Sequence, residues 1–180
     1  MSHFLVSNMN DKKKRILKEV SEYLIIIIAV LLFRTFLYSP IRVTGDSMIP
    51  TLYDGDIMIL DKIGYSINGL DRFDIVVIKY NNEKIIKRVI GLPGETVEYK
   101  DNKLYINDKY IKEDYKRDDT IDFVLETLGY SVIPNDKYLV LGDNRMVSKD
   151  SRMIGLIDKE QILGYTNTII FPFKNIKTVK

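Results

Sequence analysis

Lys84-Ile85-Ile86-Lys87-Arg88-Val89-Ile90, midway along the 180-residue chain, reads as one β-strand. Period-2 alternation puts Lys87 on the face shared by Ile85 and Val89, and Lys84, Ile86 and Arg88 on the other. An ammonium between two β-branched hydrocarbons is poorly solvated. Desolvation disfavours the charged form and lowers a fully buried lysine by up to about 3–5 pKa units, the range a general base near neutral pH requires. Lys100, Lys103, Lys109, Lys112 and Lys116 sit among polar neighbours and read as solvated charges. On either side the same strand signature recurs, in Ile57–Leu60, Ile75–Ile78, Thr96–Tyr99, Leu104–Ile106, Lys109–Ile111, Tyr138–Leu141 and Thr166–Phe171. Short β-branched and aromatic runs divided by turn residues predict a mostly β, antiparallel domain. Asn107-Asp108 suits a tight hairpin, because both residues tolerate left-handed backbone. Gly91-Leu92-Pro93-Gly94 marks a turn. A short helix is expected near 121–128.

Toward the N-terminus the pattern changes. Lys12, Lys13, Lys14, Arg15 and Lys18 precede an unbroken apolar run from Tyr23 to Phe33, followed by Arg34 and Thr35-Phe36-Leu37-Tyr38. A helix from Tyr23 to Tyr38 spans roughly 24 Å, short of the ~30 Å hydrocarbon core, so bilayer thinning or Val20 must supply the rest. The run is apolar on every face, and Tyr23 and Tyr38 bracket it as interfacial anchors while Arg34 snorkels. The expected organisation is a basic tail over 1–22, cytoplasmic by the positive-inside rule, a membrane anchor over 23–38, and an extracytoplasmic β-rich domain over 39–180. A cleavable signal peptide is the competing reading, but no small-residue A-x-A-like exit lies between Arg34 and Pro40.

Composition narrows the chemistry. With no cysteine and one histidine, His3 in the polar tail, a zinc site is improbable, and no metal or cofactor is expected. A net charge of +2 with interspersed acids after residue 40 gives no basic surface for nucleic acid. Just past the Ser39-Pro40 break, Gly45-Asp46-Ser47-Met48-Ile49-Pro50-Thr51 presents one serine in a glycine-led loop, where the proline prevents a helix. A hydroxyl needs a base to become a nucleophile. With histidine absent from the domain, the desolvated Lys87 is the candidate. A polar cluster, Gly142-Asp143-Asn144-Arg145-Met146-Val147-Ser148-Lys149-Asp150-Ser151-Arg152, offers a second hydroxyl and carboxylate–arginine pairs able to support such a base.

Together these segments resemble type I signal peptidases, the bacterial leader peptidases of peptidase family S26, and among them the single-anchor Gram-positive type. The match runs in order through the anchor, GDSMIPT around Ser47, GDIMILDK from Gly55, KRVIGLPGE from Lys87 and GDNRMVSKDSR from Gly142. The resemblance implies a membrane-bound serine endopeptidase with Ser47 as nucleophile and Lys87 as general base. It implies that Ser148 hydrogen-bonds the lysine amine, that Asp150 with Arg152 braces the site, and that Asp143 pairs with Arg88 or Arg145. The implied partners are preproteins with small residues at −1 and −3, the lipid bilayer and the nearby secretion translocon. Two-anchor relatives carry an oxyanion-hole serine where this chain has Gly45, which leaves the backbone N–H of Ser47, helped by that of Gly45 or a water. Glu95 stands where aspartate is commoner. Residues 112–136 carry no motif. The alternatives are a self-cleaving regulator with the same dyad on a similar fold and a non-catalytic, membrane-tethered binding domain.

Overall fold

The computed structural model describes residues 2–36 and 38–179, and the side chains of 14–31 and 39–179. Two compact units result, Met1–Tyr38 and Ser39–Lys180. In the first, helix α1 runs over Ser2–Phe36 and takes in both the basic cluster and the apolar run. Among the described residues, no helix is long and apolar enough to cross a membrane.

The second unit is built on strands. In chain order these are β1 (Tyr38–Arg42), β2 (Ile57–Asp61), β3 (Ile75–Tyr80), β4 (Glu83–Gly91), β5 (Val97–Lys100), β6 (Lys103–Ile106) and β7 (Lys109–Ile111). There follow β8 (Phe123–Val124), β9 (Lys137–Leu141), β10 (Ile157–Asp158), β11 (Ile162–Phe171) and β12 (Lys177–Thr178). Short helices α2 (Lys62–Asn68) and α3 (Ser151–Ile154) interrupt them. Among the described residues one sheet has the order β1-β2-β11-β3-β4-β9-β10, with β12 paired to β11, and a smaller one has the order β7-β6-β5-β8. The ladders described among β2 to β12 are antiparallel, as the strand spacing predicts.

Hairpin chemistry fixes the registers. Asn107 and Asp108 adopt φ of 49° and 63°, and Asn81-Asn82 and Asp101-Asn102 do the same at two further turns. Paired left-handed residues make the turn whose twist matches antiparallel strands. The expected helix near 121–128 is corrected. Phe123–Val124 pairs with β5, and only Leu125–Leu128 turns helically, as a 3₁₀ segment. Tertiary pairing of two apolar residues outweighs helix propensity over so short a stretch.

The core lies on both faces of the large sheet. Along β3, Ile75 and Val77 pack with Met48, Leu52, Met58 and Ile86 on one face, while Val76 and Ile78 pack with Val89, Val140 and Ile162 on the other. A third cluster joins Ile90, Leu139 and Leu141 to Val97, Tyr99 and Leu104 of the small sheet. The small sheet is thereby fastened to the back of β4 and β9, the strands that carry the site.

Candidate active site

Strand β4 pairs with β3 from Glu83, opposite Tyr80, to Arg88, opposite Ile75. On its other edge β9 pairs only from Arg88 onward. Residues 83–87 therefore leave one side of the strand open. A groove of about 1010 Å³ runs along it, walled by Ile41, Arg42, Thr44 and Asp46 opposite Tyr80–Lys87, with Ser47 and Lys87 in its lining.

Lys87 is 3% exposed and stands opposite Val76, on the face of Ile85 and Val89 predicted by alternation. Its Nζ lies 2.7 Å from Ser47 Oγ and donates to Ile86 O at 3.0 Å. Burial lowers its pKa from 10.5 to about 8, against the opposing pull of the Asp150 and Asp143 carboxylates. Those carboxylates have nearer cations, which limits what they return to the amine.

The serine turn is held from both ends. Met48 and Leu52 are buried in the core, and Thr51 and Leu52 donate their backbone N–H groups to Met48 O at 2.9 Å. Met48 therefore serves as core packing. From the other side, Asn144 N donates to Ser47 O at 3.1 Å, and Asn144 Nδ2 donates to Asp46 O at 3.0 Å. The close approach depends on Gly142. A Cβ there would lie 2.2 Å from Ser148 Oγ and 2.4 Å from Ser47 O.

The open choice of partner for Asp143 resolves to Arg88. The guanidinium donates Nε to Oδ1 at 2.8 Å and Nη2 to Oδ2 at 2.7 Å, and neither side chain has any exposure. Thr51 Oγ1 donates to the same carboxylate at 2.5 Å. Arg145 turns instead to Glu113. Asp150 caps α3 and binds Arg152 through Nε at 2.9 Å and Nη2 at 2.8 Å, while accepting Gly142 N at 3.0 Å. The Arg88–Asp143 pair ties β4 to the 142–148 loop, and both pairs have the geometry that makes arginine–carboxylate bonds strong.

Two expectations are corrected. Ser148 is 4% exposed but its Oγ has no hydrogen-bond partner among the described residues, so the bond to the Lys87 amine is not made. The amine is turned toward Ser47 and the Ile86 carbonyl. Gly45, at φ +79°, sends its N–H to Asp54 Oδ1 at 2.9 Å, so that amide is occupied rather than aimed at a substrate. Glu95 takes Arg72 bidentately and accepts Leu92 N at 2.7 Å. Sequence reasoning missed the roles of Thr51 and Asn144, although both sit inside the quoted boxes. Glu113 lies where no motif existed to signal it.

A serine hydroxyl in contact with a desolvated amine, beside a strand edge that can take an extended peptide, is the equipment of a serine peptidase whose base is a lysine. The family model described as "Signal peptidase, peptidase S26" matches residues 16–171. Signal peptidase I S of Bacillus subtilis (strain 168) is 38% identical over 175 residues, covering 93% of this chain and 95% of that one. Signal peptidase IB of Staphylococcus aureus (strain COL) is 39% identical over 180 residues, covering 92% and 94%. The crystal structure of a signal peptidase I from Enterococcus faecalis V583 is similar with a TM-score of 0.50 at 41% identity, covering 53% of this chain and 95% of that one. The chain belongs to the signal peptidase family, peptidase S26.

Proposed function

We propose that this chain removes N-terminal signal peptides from exported preproteins, with Ser47 as the nucleophile and Lys87 as the general base. The observation that carries the reading is the 2.7 Å contact between Ser47 Oγ and an amine that burial has brought down to about 8. Neutral Lys87 takes the hydroxyl proton, Oγ attacks the scissile carbonyl, and the protonated amine returns that proton to the leaving nitrogen. Water, deprotonated by the same lysine, then releases the acyl group and restores the serine. The developing oxyanion is met by the backbone N–H of Ser47. Arg88 with Asp143 and Arg152 with Asp150 keep the two catalytic side chains in register.

The preprotein binds as an added strand along residues 83–87 of β4, where main-chain groups supply affinity and shallow pockets select small residues at −1 and −3. The apolar run within α1 anchors the enzyme in the bilayer, with the basic cluster on the cytoplasmic side and the β domain outside, close to the translocon. Tethering enzyme and substrate to one membrane raises their effective concentration.

The test is cleavage of a preprotein by Ser47→Ala and, separately, Lys87→Ala. Each is expected to lose at least about a thousandfold in kcat. For the unaltered enzyme, kcat/KM is expected to climb tenfold per pH unit until about 8 and then level. Full activity in either variant, or a limb near 10.5, would remove the dyad.

A further inference from the structure

The motif-free segment from Lys112 to Thr120 reaches into the loop that holds the nucleophile. Glu113, whose side chain is 3% exposed, accepts from Arg145 Nη2 at 2.9 Å, Tyr99 OH at 2.8 Å and Arg117 Nε at 2.7 Å. Arg145 has no exposure. Its remaining N–H groups go to Tyr99 OH, Thr120 Oγ1, Tyr115 OH and, through Nε at 3.0 Å, Gly142 O. Two residues on from Gly142, Asn144 N holds Ser47 O at 3.1 Å. The same segment braces the other arginine. The Tyr115 ring lies 3.9 Å from the Arg88 guanidinium carbon, and Asp118 N donates to Asp143 O at 3.0 Å.

Among the described residues, Glu113 is the carboxylate that Arg145 pairs with. Burial pushes the Glu113 carboxyl up, but Arg145 and the Tyr115 hydroxyl outweigh it and hold the carboxyl ionised below its ordinary range. Without that charge a buried guanidinium has no counter-ion and is driven toward solvent. The Gly142 carbonyl it carries would go with it.

We infer that Glu113 is a positioning residue for the peptidase reaction: it fixes Arg145, Arg145 fixes the 142–148 loop, and the loop fixes the Ser47 carbonyl and hence Oγ against the Lys87 amine. The inference rests on the Ser47–Lys87 reading above.

The experiment compares Glu113→Ala, Glu113→Gln and Arg117→Ala in the intact chain, with near-ultraviolet circular dichroism as the check on folding. Glu113→Ala is expected to lower kcat at least tenfold and to change KM less than kcat, because the β4 side of the groove is untouched and Val147 is the one residue of its lining in the displaced loop. The ascending limb of kcat/KM is expected to move to higher pH, since a displaced loop admits water to an amine otherwise faced by Asp150 and Asp143. Glu113→Gln keeps an acceptor without the charge and is expected to lose three- to tenfold. Arg117→Ala removes the outer contact to Glu113 together with hydrogen bonds to Asn102 and the Asp118 carbonyl, but leaves the Glu113–Arg145 pair in place, and is expected to stay within threefold. Unchanged kcat in a folded Glu113→Ala, or in Glu113→Gln should the alanine variant fail to fold, overturns the inference. So does a loss in Arg117→Ala equal to that in Glu113→Ala, which would mean general loosening. An active Ser47→Ala would instead refute the dyad itself, so the two failures are distinguishable.

Discussion

Replacing Lys87 by Met should abolish cleavage and stabilise the protein. Lys87 is 3% exposed, and its pKa falls from 10.5 to about 8 because burial penalises the ammonium. At 1.36 kcal/mol per pKa unit, holding the charged amine in the folded state costs about 3 kcal/mol below pH 8. The unfolded chain keeps its proton up to the ordinary value, so between pH 8 and 10.5 it binds more protons than the native state, and stability rises with pH across that window. Above 10.5 both states are neutral and the penalty is gone. Methionine has similar length and no charge. It removes the penalty but gives up the hydrogen bonds to Ser47 and to the Ile86 carbonyl, worth about 1 kcal/mol each, for a net gain of about 1 kcal/mol at pH 7. In a chain of this size that raises Tm by roughly 2–4 °C. Thermal unfolding of both proteins from pH 7 to 11 reads the effect, and their difference isolates Lys87 from other titrating groups. A Lys87→Met protein no more stable at pH 7, or a gap that does not shrink between 8 and 10.5, would show that the amine is not kept dry.

Arg88→Met leaves the Asp143 carboxylate buried without its guanidinium and is expected to cost about 3–5 kcal/mol in urea unfolding. Adding Asp143→Leu should recover most of that stability without restoring cleavage. Gly142→Ala puts a methyl 2.4 Å from the Ser47 carbonyl oxygen, so it is expected to destabilise by about 1–3 kcal/mol and to lower kcat more than KM, as steady-state kinetics on a preprotein would show.

The β architecture and the burial of Lys87 were legible because their signals are local. Alternation in 84–90 shows which face Lys87 takes, and Asn107-Asp108 announces its hairpin from residue chemistry alone. What the alternation could not say is that Ser47, forty positions away, meets that face, or that Arg88 rather than Arg145 claims Asp143. Those contacts follow from the order of strands in a sheet, where β4 lies between β3 and β9 and brings 87–88 against 141–143. Ser148 illustrates the converse. Its place in a quoted box predicts a bond to the amine, but the direction of a side chain in a loop depends on packing around Gly142 that no short pattern encodes.

By itself, then, the sequence determined the chemistry available: a domain without histidine or cysteine, one serine in a glycine-led turn, one lysine on an apolar strand face, and a basic–apolar N-terminal segment. The tertiary structure alone decided which charges pair, which backbone amides are already taken, and that the motif-free stretch around Glu113 is linked through Arg145 to the Gly142 carbonyl. The physical reason is range. Periodicity and turn propensity act between neighbours in the chain, whereas desolvation and ion pairing depend on groups that are distant in sequence and meet only when the sheets close over them.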